Sequence, residues 1–236
     1  RIPADPTKVV GSVAIGDNTF ARTGSTMIGS HNYTGDLGDI TVDTSTTRKY
    51  ALNAYATTVG ANSFSNGAFT TSTGSYNIIS SDYTGGRFSN VTKNLGATIN
   101  GSLNSVESKT GSYYSGIGNT ITGVANRTAN SNGSLIFGAG NEITNSFTSL
   151  SGTPTDGGAS AKDFADSLRS SIRASSSGGS TMAFGGGNRA DYTLRTALVG
   201  VNNTVTGTSG AASADNSITG FHNTANECKS CNGYRL

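Results

Sequence analysis

The stretch SVAIGDNTFARTGSTMIG, residues 12–29, states nearly the same pattern twice. Each half begins with Ser, continues through small or medium apolar residues and ends in a glycine, Gly16 or Gly29. A Gly and an Asn in close succession favour a tight turn, because both residues tolerate the positive φ angles that such turns need. The stretch therefore predicts a short strand, a turn, and a return to an equivalent strand.

A Gly-x-x-Asn-x-apolar template extends this pattern along the chain. It fits seven times, where about one match is expected by chance for this composition. The matches begin at Gly74, Gly101, Gly116, Gly138, Gly185, Gly200 and Gly220. With shortened variants at Gly16, Gly29 and Gly60, about ten copies occur, and the shorter spacings are 14–15 residues. Two short strands and two turns in that length make one coil of a parallel β-solenoid, so an all-β fold is expected.

Composition limits the classes of function. The chain has 236 residues, of which 33% are hydrophobic and 13% charged, with 33 Gly but 3 Pro. Its net charge is +2 and it has no long Lys/Arg run, which argues against a nucleic-acid partner. It has no apolar stretch of membrane-spanning length and starts with RIPADPTK, so we expect targeting and anchoring only through regions outside this fragment.

The first strand of each coil is apolar on both faces, which is typical of a strand buried on both sides. We place one set in the coil interior: Val13, Ile15, Ile28, Leu135, Phe137, Met182, Phe184 and Val199. We assign the other set to a face that packs outside the coil: Ala14, Met27, Ile136, Ala183 and Leu198. A loop of the same chain could cover that face, but copies of the chain in an oligomer are the favoured cover.

The units SVAIG (Ser12 to Gly16) and STMIG (Ser25 to Gly29) resemble the head repeat of YadA-like trimeric autotransporter adhesins. SLIFG (Ser134 to Gly138) and TALVG (Thr196 to Gly200) resemble it recognisably, and the stretch between 35 and 110 only loosely. The resemblance implies a left-handed parallel β-roll that forms a homotrimer. In such a trimer the second apolar set, from Ala14 to Leu198, would lie at the three-fold axis.

Such heads are displayed on the bacterial outer membrane and attach to host cells, so the resemblance also implies a function. The expected partner is an extracellular-matrix protein or a host surface glycoprotein, such as an immunoglobulin-like cell-adhesion molecule. The expected role is colonisation and virulence, without enzymatic activity or cofactor. The alternative is a trimeric β-helical domain that binds or cleaves glycans, for which Asp36, Asp39, Asp43 and Asp156 could supply paired carboxylates.

Long gaps in the repeat mark insertions in a head of residues 1–225. They fall at 34–55, 80–95, 122–133, 144–180 and 206–215, between the second strand of one coil and the first strand of the next. Equivalent positions of stacked coils lie above one another, so these insertions are expected at one edge, a common place for binding surfaces. Residues 226–236 are expected to form an extension towards a neck or stalk.

The insertions supply the candidate receptor-binding residues, which combine aromatic, Arg and apolar types typical of interfaces. They are Arg48, Tyr50, Tyr83, Arg87, Phe88, Phe164, Leu168, Arg169 and Ile172. The fourfold spacing of Phe164, Leu168 and Ile172 predicts a short amphipathic helix over 161–174. Its apolar stripe could buttress the roll or dock into a receptor.

Signals for catalysis or metal binding are weak. His31 and His222 each occupy a turn of the repeat, where a role as a catalytic base is not favoured. The chain has no Cys/His metal pattern and no phosphate-loop motif. Cys228 and Cys231 form an isolated C-x-x-C, which favours a local or interchain disulfide over redox chemistry in an exported protein.

Overall fold

A computed structural model describes residues 12–21, 24–34, 56–67, 69–81, 93–108, 115–147 and 180–235, with five further residues between 165 and 173. These residues are almost wholly β-structure, in long parallel sheets compatible with a β-solenoid or β-roll. The five isolated residues, Ala165, Asp166, Arg169, Ser170 and Arg173, are α-helical, as expected for that segment. Within the described ranges, no helix has the length and apolar character needed to cross a membrane.

Strands alternate along the chain between two parallel sheets. The larger sheet has eleven strands in the order β1-β2-β4-β6-β8-β10-β12-β14-β17-β20-β22. Their bounds are β1 Val13–Ile15, β2 Thr26–Ser30, β4 Thr57–Ala61, β6 Thr71–Ser75, β8 Thr98–Ser102, β10 Thr120–Val124, β12 Leu135–Ala139, β14 Met182–Gly186, β17 Ala197–Val201, β20 Ser217–Phe221 and β22 Asn232–Arg235. Each coil of the chain therefore adds one strand to this continuous sheet.

The smaller sheet has nine strands and runs beside the first. Its strands are β3 Tyr33–Thr34, β5 Phe64–Ser65, β7 Ile78–Ser81, β9 Ser105–Ser108, β11 Arg127–Ala129, β13 Glu142–Thr144, β15 Arg189–Asp191, β18 Thr204–Thr206 and β21 Thr224–Asn226. A third pair, β16 Thr193–Leu194 and β19 Ser213–Ala214, is also parallel. The core lies between the sheets and includes Ile99, Ile121 and Val205.

The structure reverses the two faces predicted for the first strand. Met27, Ile136, Ala183 and Leu198 lie in the interior, each at most 1% exposed, so they are not available as trimer contacts. Ala14 belongs to the same row, because it pairs with Met27, but it is exposed in the end strand β1. The set predicted to be interior, from Val13 to Val199, points outward instead. Alternation separates the two sets, but both are apolar, so alternation did not identify the buried one.

The two connections of each coil differ in length. From β2 onward, two residues separate each strand of the larger sheet from the next strand of the smaller sheet, such as Ala125 and Asn126 between β10 and β11. We call each of these pairs, together with the last two residues of the strand before it, the fixed corner. The return from the smaller sheet to the larger sheet varies in length, from Asp191 to Ala197 at one extreme and from Thr144 to Met182 at the other. The insertions bounded by described strands therefore leave from one edge, the variable corner.

Residues 122–133 are not an insertion. They include the end of β10 and all of β11, because the template missed a copy at Gly123 and Asn126 in which Thr128 replaces the apolar residue. Thr128 is buried, and its hydroxyl accepts a hydrogen bond from the Asn119 side-chain amide at 3.2 Å. A paired hydroxyl is tolerated at an interior position, whereas an unpaired one is costly. Asn119 itself precedes β10, so the match counted at Gly116 was not a repeat corner.

The boundary predicted at residue 225 is also wrong. β22 pairs in parallel with β20, with Ser217 opposite Asn232, and so continues the larger sheet. The intervening residues are bonded to the coil below, because the Cys231 amide donates to the Asn216 side-chain oxygen at 2.9 Å. The Cys228 amide likewise donates to the Ser213 hydroxyl at 3.1 Å. Residues 226–235 therefore belong to the stack.

Glycine is the fourth residue of each five-residue strand in the larger sheet, because adjacent coils approach closely there. Gly185 has φ +122°, which L side chains rarely adopt, and a Cβ on it would overlap the carbonyl oxygen of Gly200. The same relation links Gly138 to Gly185 and Gly200 to Gly220. Each glycine therefore makes room for the carbonyl of the next coil.

Gly185→Ala is expected to lower the free energy of unfolding by roughly 3 kcal/mol, from steric overlap and an unfavourable φ together. Gly186 is its matched control in the same strand, because a Cβ there would lie 3.7 Å from the Ala139 carbonyl oxygen, an ordinary contact. Gly186→Ala should change that free energy by less than about 0.5 kcal/mol. Urea unfolding followed by circular dichroism measures both, and equal effects of the two variants would contradict the close-approach argument.

Candidate interaction surface

The outward face of the larger sheet carries exposed apolar side chains. Two rows point outward, one formed by the first residue of each five-residue strand and one by the third. Ile15 and Phe137, in the second row, are 58% and 57% exposed, and Val13, in the first row, is 42% exposed. Exposed apolar patches that recur over many strands mark interaction surfaces in soluble proteins.

This outward face carries no charge over ten successive strands. The first outward row consists of Val13, Thr26, Thr57, Thr71, Thr98, Thr120, Leu135, Met182, Ala197 and Ser217. The second outward row consists of Ile15, Ile28, Val59, Thr73, Asn100, Thr122, Phe137, Phe184, Val199 and Thr219. Depletion of charge is the compositional mark of the centre of a protein interface.

The outward face of the smaller sheet is different, because charged side chains cross its strands. Arg127 contacts Glu107 through Nε at 2.9 Å and Nη2 at 3.1 Å, and Glu142 through Nη1 at 2.6 Å. Arg189 continues the series, with Nε 3.5 Å from Glu142 Oε2. The hydrogen bond with Glu107 raises the pKa of Arg127 above its usual value, against the opposing effect of burial. These pairs stabilise neighbouring strands at a solvent-facing surface.

Buried asparagines hold the fixed corner that borders the candidate surface. Asn141 is 1% exposed, and its Nδ2 donates to Asn126 Oδ1 at 3.0 Å and to the Gly185 carbonyl at 2.8 Å. Its Oδ1 accepts from the Asn188 backbone amide at 3.0 Å and from Asn188 Nδ2 at 2.9 Å. Each side chain thus satisfies polar backbone groups in the next coil, as buried polar groups require.

The asparagine ladder runs through most of the described coils. Its members are Asn32, Asn77, Asn104, Asn126, Asn141, Asn188, Asn203 and Asn223, with Ser63 in place of one Asn. The residue before each member is exposed at the surface of the fixed corner and has a positive φ in every coil from β2 onward. The backbone of the corner is therefore the same in each coil, while its exposed side chain is free to vary.

Most predicted receptor-binding residues lie outside the described residues: Arg48, Tyr50, Tyr83, Arg87, Phe88, Phe164, Leu168 and Ile172. Arg169 is described, and it is helical, exposed and paired with Asp166. These residues remain candidates on the insertions. The described strands that flank their segments end and begin at the variable corner, on the opposite edge of the larger sheet from the fixed corner.

The histidines and cysteines singled out in the sequence have structural settings. His31 and His222 both occupy exposed fixed-corner positions, with φ of 54° and 53°. Cys228 and Cys231 are joined by a disulfide that closes the last turn before β22. At the edge of the third sheet, Arg195 Nε bonds to Asp215 Oδ1 at 2.6 Å, and this hydrogen bond lowers the pKa of Asp215.

Sequence reasoning missed the exposure of the outward rows and of several corner residues. Tyr76, Leu103, Val124 and Phe221 are large, apolar and exposed at the fixed corner. For Tyr76 and Leu103 a signal was present, because each follows a repeat glycine by two positions, where turns normally take Asn or Gly. A large apolar residue in such a turn is unexpected on local grounds and therefore points to a contact.

Asn141→Ala is expected to lower the free energy of unfolding by roughly 2–4 kcal/mol, because buried groups of Asn126, Gly185 and Asn188 would lose their partners. Asn202→Gly is the matched control, since Asn202 is an exposed corner residue with φ 54°. Its loss should cost less than about 0.5 kcal/mol. Thermal and urea unfolding distinguish the two, and a neutral Asn141→Ala would show that the ladder does not stabilise the corner.

Comparisons of the chain with protein-family models, with curated proteins and with solved structures find no match. The function of the chain must therefore be inferred from its own residues and their arrangement.

Proposed function

We propose that this chain is the head of a trimeric adhesin on a bacterial cell surface, which attaches the cell to a host surface glycoprotein or matrix protein. In this proposal about ten coils form a left-handed roll, and three copies pack around a three-fold axis. Membrane anchoring lies in regions outside these residues. The observation that carries the proposal is the uncharged, partly apolar outward face of the larger sheet.

The dimensions of that face suit a stable interface between copies. Ten strands at about 4.8 Å spacing extend about 50 Å, and five residues at about 3.3 Å extend about 17 Å. The product is on the order of 800 Å², which is the area that each partner buries in a standard specific interface. Exposure of this area in a lone chain would leave Phe137, Met182 and Val199 in water.

The proposed trimer uses different residues from those expected from the sequence alone. Met27, Ile136, Ala183 and Leu198 fill the coil interior, and Val13, Ile15, Ile28, Phe137 and Val199 take the role of axis contacts. The resemblance to YadA-like heads supports closure at three copies, because that family builds its heads as trimers. Attachment is assigned to the other edge, where the insertions leave the regular strands at the variable corner.

Phe137→Thr is expected to weaken assembly at least tenfold, because each copy would lose a large apolar contact, worth about 2 kcal/mol. The fold should persist, since Thr73, Thr122 and Thr219 occupy the same row in other strands. Sedimentation and light scattering should give three times 23.9 kDa for the parent chain. Arg189→Thr, on the smaller sheet, is the control and should leave the mass unchanged.

A parent chain that stays monomeric at every accessible concentration would contradict the proposed assembly. A trimer that is unaffected by Phe137→Thr would place its interface elsewhere.

Replacement of residues 145–180 by a short turn is expected to abolish or strongly weaken binding to the host ligand, since this is the longest insertion at the variable corner. A solid-phase screen would use the parent trimer against collagen, fibronectin, immunoglobulin-like cell-adhesion molecules and intact host cells, with and without removal of surface glycans. The matched control shortens residues 208–211, a smaller turn at the same corner.

Binding that survives the replacement would exclude residues 145–180 as the attachment site. Failure of the parent trimer to bind any host cell or ligand would contradict the adhesin proposal. Glycan release that is lost on Asp36→Asn or Asp39→Asn would instead favour a glycan-cleaving domain.

A further inference from the structure

Bulky apolar side chains alternate between the second outward row and the fixed corner. Where the row is polar, in β6, β8, β10 and β20, the corner that follows is large and apolar. The pairs are Thr73 with Tyr76, Asn100 with Leu103, Thr122 with Val124, and Thr219 with Phe221. Tyr76 and Leu103 are among the most exposed large apolar residues that the structure describes, at 58% and 59%.

Where the row is bulky, the corner carries no large apolar residue. The pairs are Ile15 with Asp17 and Asn18, Ile28 with Ser30 and His31, Val59 with Ala61 and Asn62, Phe137 with Ala139 and Gly140, and Phe184 with Gly186 and Gly187. β17 is the exception among these strands, because Val199 and Val201 are both apolar. Apart from β17, each of these coils therefore carries one large apolar residue at these positions, either in the row or at the corner.

Two of these corner residues keep their bulk at a conformational cost. Tyr76 and Leu103 have φ of 56° and 61°, a region that large L residues avoid. Asn62 and Gly140 hold the same position in other coils, with φ of 51° and 66°, and suit it. Because the Tyr76 and Leu103 side chains are exposed, they bury little in the lone chain to offset this cost. Strained residues that persist in this way point to a role outside the local fold.

We propose that the fixed corner of one copy packs against the second outward row of a neighbouring copy, at the same height along the rod. This inference rests on the proposed trimer and names the surface by which its subunits meet. The apolar contact between two subunits is maintained in each coil when a polar row residue faces a large apolar corner residue and a bulky row residue faces a corner without one. The compensation within each coil follows directly from that contact.

The same pattern fixes the axial register between copies. A shift by one strand would bring the Val124 corner against Phe137 in one direction, and the Tyr76 corner against Val59 in the other. Two bulky groups would then meet, while small corners faced polar row residues elsewhere and left gaps. Subunits related by rotation without translation avoid both the clashes and the gaps. This is the symmetry of a closed ring of identical subunits.

Heterotypic cross-linking tests the register directly. Asn100→Cys in one tagged chain and Leu103→Cys in a second, differently tagged chain are co-assembled and oxidised, so that only contacts between copies give a product carrying both tags. We expect this pair to cross-link efficiently. The off-register pair, Asn100→Cys with Ala125→Cys, places the second cysteine at the same corner position one strand further and should give at least about tenfold less product. Cys228 and Cys231, already paired, remain as they are.

Moving the large apolar side chain from the corner to the row tests whether packing between copies accounts for the pattern. Leu103→Asn should raise the dissociation constant of the assembly about tenfold or more, while the unfolding midpoint of the dissociated chain stays the same or rises, because Asn tolerates the positive φ. The double variant Asn100→Val with Leu103→Asn reproduces the natural pair Val59 and Asn62 and should recover most of the assembly. A merely structural role for Leu103 would lower the midpoint and would not be rescued.

The outcomes separate this inference from the proposed function. A trimer in which the off-register pair cross-links better, in which neither pair cross-links, or in which Leu103→Asn has no effect overturns the corner contact and leaves the trimer standing. A parent chain that is monomeric by light scattering overturns both. In-register cross-linking together with rescue by the double variant supports the contact.

Discussion

The close approach of successive coils at the fixed corner is the constraint on which the rest of the structure depends. There, a glycine of one coil lies against the carbonyl of a glycine in the next, at a distance that leaves no room for a Cβ. The asparagine ladder then satisfies the polar groups that this approach buries, as when Asn126 Nδ2 donates to the Gly138 carbonyl at 2.7 Å. The fixed corner of each coil must therefore provide both a glycine that allows the close approach and a side chain that pairs the buried polar groups.

Because this corner is fixed, the outward surface beside it has a regular geometry. Side chains of the larger sheet project at strand spacing, and those of the corner project from one repeated backbone conformation. The charged series on the smaller sheet, from Glu107 through Arg127 to Glu142, is satisfied within the chain. The two sheets thus present chemically different outsides. Among the described residues, the larger sheet exposes uncharged and partly apolar rows over ten strands, whereas the smaller sheet combines its charged series with an exposed Ile78.

The coil length, the parallel pairing and the glycine and asparagine corners were predictable, because a local turn chemistry repeats in the sequence. The inward face of the first strand was not, since Ile136 and Phe137 are both apolar neighbours and only the three-dimensional path of the coil decides which is buried. The coil containing Thr128 was missed because its hydroxyl is paired by Asn119, a contact that no apolar template anticipates. Residues such as Tyr83 and Phe88 carry no periodic signal, so their contacts cannot be inferred from pattern.

The variable corner has a mechanical consequence. The chain adds one strand to the larger sheet whether the return path runs from Asp191 to Ala197 or from Thr144 to Met182. The length of the stack therefore depends on the number of coils and not on the number of residues. Added sequence at this edge neither lengthens the stack nor shifts the strands that follow. The sequence at this edge can therefore vary while the length of the stack stays constant. Only gain or loss of a whole coil, about 4.8 Å each, changes that length.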